Sequence, residues 1–137
     1  MSDTDSMRRE ANRKSAEKSR AEDDKRAIED QIERLRSAER QLATEKTETG
    51  EVREAVRQHE DPGETWAGQT RDQYHDHVKD ALGRDLDAYR TSTDAMLDAV
   101  IHRITELENQ SRDLGGVIGW LANAINGLWA DIRSAVN

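Results

Sequence analysis

Apolar residues in the first part of the chain recur with the period of a helix that packs along one line. Ile28, Ile32, Leu35, Leu42, Thr49 and Val56 advance in steps of four, three, seven, seven and seven, the stripe of a heptad repeat. Glu39 and Lys46 fill intervening stripe positions, so the seam they predict is imperfect. Upstream of Ile28 only Met7 and scattered Ala residues offer apolar surface, and residues 1–15 are expected to fray. The second stripe is longer and more regular: Tyr74, Val78, Leu82, Leu86, Tyr89, Thr93, Met96, Val100, Ile104, Leu107, Ser111 and Leu114, every step three or four. In the third, Val117, Leu121, Ile125, Leu128, Ile132 and Val136 share one helical face, largely opposite Gly119, Asn123, Asn126, Gly127 and Arg133.

Two breaks punctuate these stripes. Asp61-Pro62-Gly63-Glu64-Thr65 reads as a turn and a helix start, because Pro62 cannot continue a helix and Thr65 suits an N-cap. Gly115 and Gly116 mark the second border. The pattern predicts an all-α protein of one domain: a charged first helix over 1–60, a turn over 61–69, a second helix over 70–113 and an amphipathic apolar C-terminal helix over 114–137. Two stripes of similar length joined by a short connection favour a long antiparallel, coiled-coil-like helical hairpin.

Composition narrows the picture. Of 137 residues, 34% are hydrophobic and 36% charged, too little apolar material for an ordinary compact core. The charge is also unevenly placed: residues 1–60 carry 30 charged side chains, residues 61–113 carry 18, and residues 114–137 only Asp131 and Arg133. Low hydrophobicity therefore reflects exposed helices rather than disorder along the whole chain. The absence of Cys excludes disulfides and thiolate metal sites. A net charge of −8 argues against nucleic-acid binding, and no Sec signal peptide is expected, since Arg and Glu dominate where its apolar run would lie.

Candidate chemistry is sparse. His75 and His77 lie in Tyr-His-Asp-His beside Asp72 and Asp76, but two residues apart on a helix they point to nearly opposite faces. His59 and His102 lack obvious companions, and there is no phosphate loop or nucleophile elbow. The expectation is no enzyme, no catalytic residue, no metal and no cofactor. Residues 114–130 are uncharged but interrupted by Asn123, Asn126 and four Gly, so they fit an amphipathic helix better than a membrane span. Gly115 and Gly119 permit close helix approach. Trp120 and Trp129, nine residues apart, would anchor this tail.

The turn is the most informative segment: Thr65-Trp66-Ala67-Gly68-Gln69-Thr70-Arg71-Asp72-Gln73-Tyr74. Trp66 offers a large apolar wedge with a polar N–H, Gly68 permits close backbone approach, and Tyr74 lies about two turns from Trp66, so both aromatics would close the seam's end. Trp66-x-Gly68 between two amphipathic stripes, with an aromatic eight residues after the Trp, resembles the Trp-x-Gly (WXG) superfamily of type VII secretion proteins of Gram-positive bacteria, small helical hairpins with this tripeptide at the turn. The chain is longer at both ends than short superfamily members and is most similar to the YwqH-like group, over about residues 28–137.

That resemblance implies a small helical partner of an LXG-domain toxin, binding the toxin's helical N-terminal domain to support its stability and its presentation to the secretion ATPase, with a second small helical protein as a further candidate partner. It implies synthesis in the cytoplasm and export to the cell surface or medium. One feature departs from the pattern: Tyr74 and Tyr89 are followed four residues later by Val78 and Thr93, so no Tyr-x-x-x-Asp/Glu export signal is present. Export would then draw its signal from a partner or from a signal of another form, and a non-exported, chaperone-like role is the alternative.

The residues expected to bind the partner are Ile28, Ile32, Leu35 and Leu42 on the first helix and Val78, Leu82, Leu86, Tyr89, Met96, Val100, Ile104 and Leu107 on the second. Val117, Trp120, Leu121, Ile125, Leu128, Trp129 and Ile132 form the expected C-terminal docking surface. Competing readings are a self-associating coiled coil, such as a homodimer, and a protein of the membrane surface acting through residues 114–137.

Overall fold

The computed structural model describes residues 2–58 and 68–136, apart from the side chains of Ser2, of residues 68–72 and of Tyr74. Two α-helices make up the described chain: α1, Ser2–Gln58, and α2, Gly68–Val136. They pack against each other as a helical hairpin, with no strand among the described residues. Single-helix propensity does not hold such helices together in water; burial of their shared stripe does. Contacts divide the chain into one unit of Met1–Leu35 with Arg103–Asn137 and another of Arg36–His102.

In the first unit, α1 covers every third or fourth residue in strict alternation, from Thr4 and Met7 through Ala11, Lys14, Lys18, Ala21, Lys25 and Ile28 to Ile32 and Leu35. In heptad letters these are a and d positions, with Ala11 and Ile32 at a. The facing positions of α2 are Ile104, Leu107, Ser111, Leu114, Ile118, Leu121, Ile125, Leu128 and Ile132. Leu107 (1% exposed), Leu121 and Ile132 are buried, each worth roughly 1.5–3 kcal/mol of burial. Lys14 approaches Trp120, and Lys25 lies across Gly115, so the segments run antiparallel.

Two expectations change here. The helix begins at Ser2 and Ala11 is fully buried, so residues 2–15 are part of α1. The apolar end of α2 supplies the cover that α1's own composition lacked. Nor do Gly115 and Gly116 end a helix: the expected second and C-terminal helices are one continuous element. Each internal Gly costs about 1 kcal/mol relative to Ala. At Gly115 a Cβ would stand 3.6 Å from the Lys25 Cε, an ordinary contact, so the seam itself does not require glycine there.

In the second unit the α1 seam continues through Glu39, Leu42, Lys46, Thr49, Arg53 and Val56. Opposite, α2 presents Lys79, Gly83, Leu86, Arg90, Thr93, Leu97 and Val100. Thr49 and Thr93 are buried, and their hydroxyls donate to the carbonyls of Glu45 (2.8 Å) and Tyr89 (2.9 Å), which satisfies them without cross-helix partners. Gly50 lies beside a seam arginine: a Cβ there would meet the Arg90 Cζ at 3.7 Å, an ordinary contact.

Candidate partner-binding surface

In the unit of Arg36–His102, cross-helix ion pairs show which side of α2 lies toward α1. The Lys46 Nζ lies 2.6 Å from the Asp94 Oδ1, and the Arg53 Nη2 donates to the Asp87 Oδ2 at 3.1 Å. Lys46 and Arg53 are seven apart at a positions of α1; Asp94 and Asp87 are seven apart at e positions of α2. An e position flanks the seam on one side and a g position on the other. Drawing the e side of α2 toward α1 leaves its g side, Leu82, Tyr89 and Met96, turned outward.

The single stripe read from the sequence therefore splits. Leu86, Thr93, Val100, Ile104 and Leu107 lie on the seam. Val78, Leu82, Tyr89 and Met96 are exposed by 42–49%, while Lys79, Gly83, Arg90 and Leu97 take the seam positions beside them. Both series have steps of three and four and share Leu86, Thr93 and Val100, so spacing alone did not separate them. On α1, Ile28, Ile32, Leu35 and Leu42 all lie on the seam, Ile32 buried and the others half-buried.

Exposed Val52, at a g position of α1, lies on the same side as the α2 row. The Tyr89 hydroxyl ties the two g rows together by donating to the Glu45 Oε2 at 3.2 Å. That hydrogen bond, and then the carboxylate charge, raise the Tyr89 pKa above the ordinary tyrosine value. At the end of the row, Val56, His75, Val78, Lys79 and Leu82 line a cavity of about 240 Å³. On the e side, Arg53, Arg57, Lys79, Arg84, Asp80 and Asp87 line a cleft of about 500 Å³ together with Val56 and Gly83.

In the unit containing the C-terminal end of α2, the expected docking residues divide as well. Leu121 and Ile132 are buried, and Ile125, Leu128 and Trp129 are half-buried. Val117 and Trp120, 47% and 62% exposed, face outward, and Ile118 takes the seam position next to Val117. The Lys14 Nζ stands 5.0 Å from the Trp120 ring centroid, a cation–π contact worth about 0.5–1 kcal/mol at an exposed site.

Of the turn motif, Gly68 begins α2 and Tyr74 lies in its second turn, while Trp66 falls outside the described residues. His77 and Asp76 are exposed and His75 half-buried, and among the described residues no three His, Asp or Glu side chains group as metal ligands. No described helix is long and apolar enough to cross a membrane. Sequence reading missed the seam residues Lys79, Gly83, Arg90, Leu97 and Ile118, the exposed Val52, and the Lys46–Asp94 and Arg53–Asp87 pairs. For the pairs a signal was available in the seven-residue spacing of Lys46 and Arg53 on α1 and of Asp87 and Asp94 on α2. No protein-family profile, curated protein or solved structure matches the chain.

Proposed function

We propose that this chain is a small helical binding protein that docks a partner's helix through the uncovered face of α2. One observation carries this reading: Leu82, Tyr89 and Met96 form a seven-residue-spaced apolar row left beside a seam that is already filled. Contiguous exposed apolar side chains on a helix mark a site of helix-in-groove association. The Trp-x-Gly resemblance supplies the biological setting. The partner is the helical N-terminal domain of an LXG-type toxin in a type VII secretion system, and binding supports the toxin's stability and export without catalysis by this chain.

The test is co-expression with the LXG protein encoded beside it, followed by co-purification. Wild-type chain is expected to retain the toxin's N-terminal domain. Leu82→Gln with Met96→Gln, both exposed, lowers recovery at unchanged helicity, and Trp66→Ala lowers it further. Equal recovery by all three forms would sink the reading. Self-association is the second reading, favoured by exposed Val117 and Trp120 in a segment that brings little charge to a like copy. Sedimentation that finds a stable dimer, dissociated by Trp120→Gln, supports that alternative.

A further inference from the structure

We infer that the outward face of the Arg36–His102 unit is a second heptad seam, built for a partner helix whose apolar stripe is flanked by Lys and Arg. This deepens the binding role proposed above and rests on it. The g positions of α2 carry Leu82, Tyr89 and Met96, and the adjoining c positions begin and end with Val78 and Ala99. A c/g face is centred roughly 110° around the helix from the a/d face. A third helix therefore fits there without displacing α1. From Val78 to Ala99 the row extends about 33 Å at 1.5 Å per residue, enough for three heptads of a partner.

Charge identifies the occupant. On this side α1 contributes Gln41, Glu45, Glu48, Val52 and Ala55, and α2 adds Asp85 and Ser92 between its apolar residues. All these positions are exposed, and their charged members, Glu45, Glu48 and Asp85, are all acidic. A second copy using the same face would set these carboxylates against one another, with no cation among these exposed positions and Lys79 only at the end of the row. An anionic bilayer would be repelled in the same way. A helix with basic residues beside its apolar stripe answers both the exposed carbon surface and the charge.

The full chain is titrated by calorimetry with two synthetic helical peptides of about four heptads, identical in their Leu/Ile stripe and flanked by Lys in one and Glu in the other. The Lys-flanked peptide is expected to bind about tenfold more tightly, since exposed ion pairs contribute modestly but add. That preference shrinks as NaCl rises from about 50 to about 500 mM. Glu48→Lys with Asp85→Lys reverses the preference, and Leu82→Gln with Met96→Gln abolishes binding of both peptides at unchanged circular dichroism. Equal binding of the two peptides, lost in the Leu82→Gln/Met96→Gln variant, overturns the charge assignment and leaves the helix-binding role standing. Binding of neither peptide, binding indifferent to that variant, or a dimer dissociated by it overturns the seam's assignment to a basic helix. Failure of the toxin co-purification, with peptide selectivity intact, would instead remove the secretion setting and keep the seam.

Discussion

The two units solve the same problem, sealing two helices along one seam, with opposite materials. In the unit of Met1–Leu35 and Arg103–Asn137, α2 offers an almost wholly aliphatic row against Ala, Lys and, toward Leu35, Ile and Leu from α1. The Lys18–Glu22 and Lys25–Glu29 ion pairs join neighbours on α1 itself. In the unit of Arg36–His102, both helices place charge or threonine in the seam, and Lys46–Asp94 and Arg53–Asp87 cross it. Hydrophobic burial is non-directional, so the first unit takes its strength from area. Ion pairs are directional but weak when exposed, so the second gains less stability per position from its seam.

The largest test of that contrast is Leu107→Ala. At a site 1% exposed it is expected to cost about 2–5 kcal/mol in urea or thermal unfolding. A loss as small as that of an exposed-site substitution would show the aliphatic seam is not the stabilising element. Next in size, Lys18→Leu places an aliphatic side chain against the α2 row and is expected to stabilise by about 1 kcal/mol. Lys46→Leu removes the partner of Asp94 and gives no such gain. Equal gains at both positions would erase the distinction between the units.

A smaller effect is expected of Asp87→Asn and Asp94→Asn, each costing about 0.2–1 kcal/mol at low ionic strength and less in high salt. Hydrogen exchange localises it: raising the salt should speed exchange in Arg36–His102 more than in the other unit. The smallest effect is at Tyr89. Its folded-state pKa is raised, so its bond to Glu45 contributes fully below the unfolded value near 10 and is lost as pH rises through the raised folded value. Ultraviolet titration should therefore show one tyrosine ionising at lower pH in Glu45→Gln than in wild type. An unchanged titration would remove the tie between the two g rows.

The helices and most of the first seam were legible in the residues. Ile28, Ile32, Leu35 and Leu42, and Val100 through Leu114, sit where heptad spacing puts them, because no competing apolar row runs beside them. Between Val78 and Val100 two rows are interleaved, and the more hydrophobic one, Leu82–Tyr89–Met96, was read as part of the seam. Gly83 and Arg90 gave no hydrophobic signal for the positions they occupy. Likewise the N-terminal end of α1 looked too polar to pack, since its cover comes from residues more than a hundred positions away. The Gly115–Gly116 pair looked like a terminus because propensity is local, whereas the seam residues Leu114 and Ile118 on either side continue along one helix.

The amino-acid sequence by itself determined an all-helical hairpin, a charged first half and an apolar end, since period and composition are properties of a single strand of chain. Tertiary structure decided the rotation of α2 about its own axis, and with it which apolar row is buried and which is offered outward. That choice rests on contacts between distant segments, seam packing and pairs such as Lys46 with Asp94 together, whose energy exists only when the two segments are side by side.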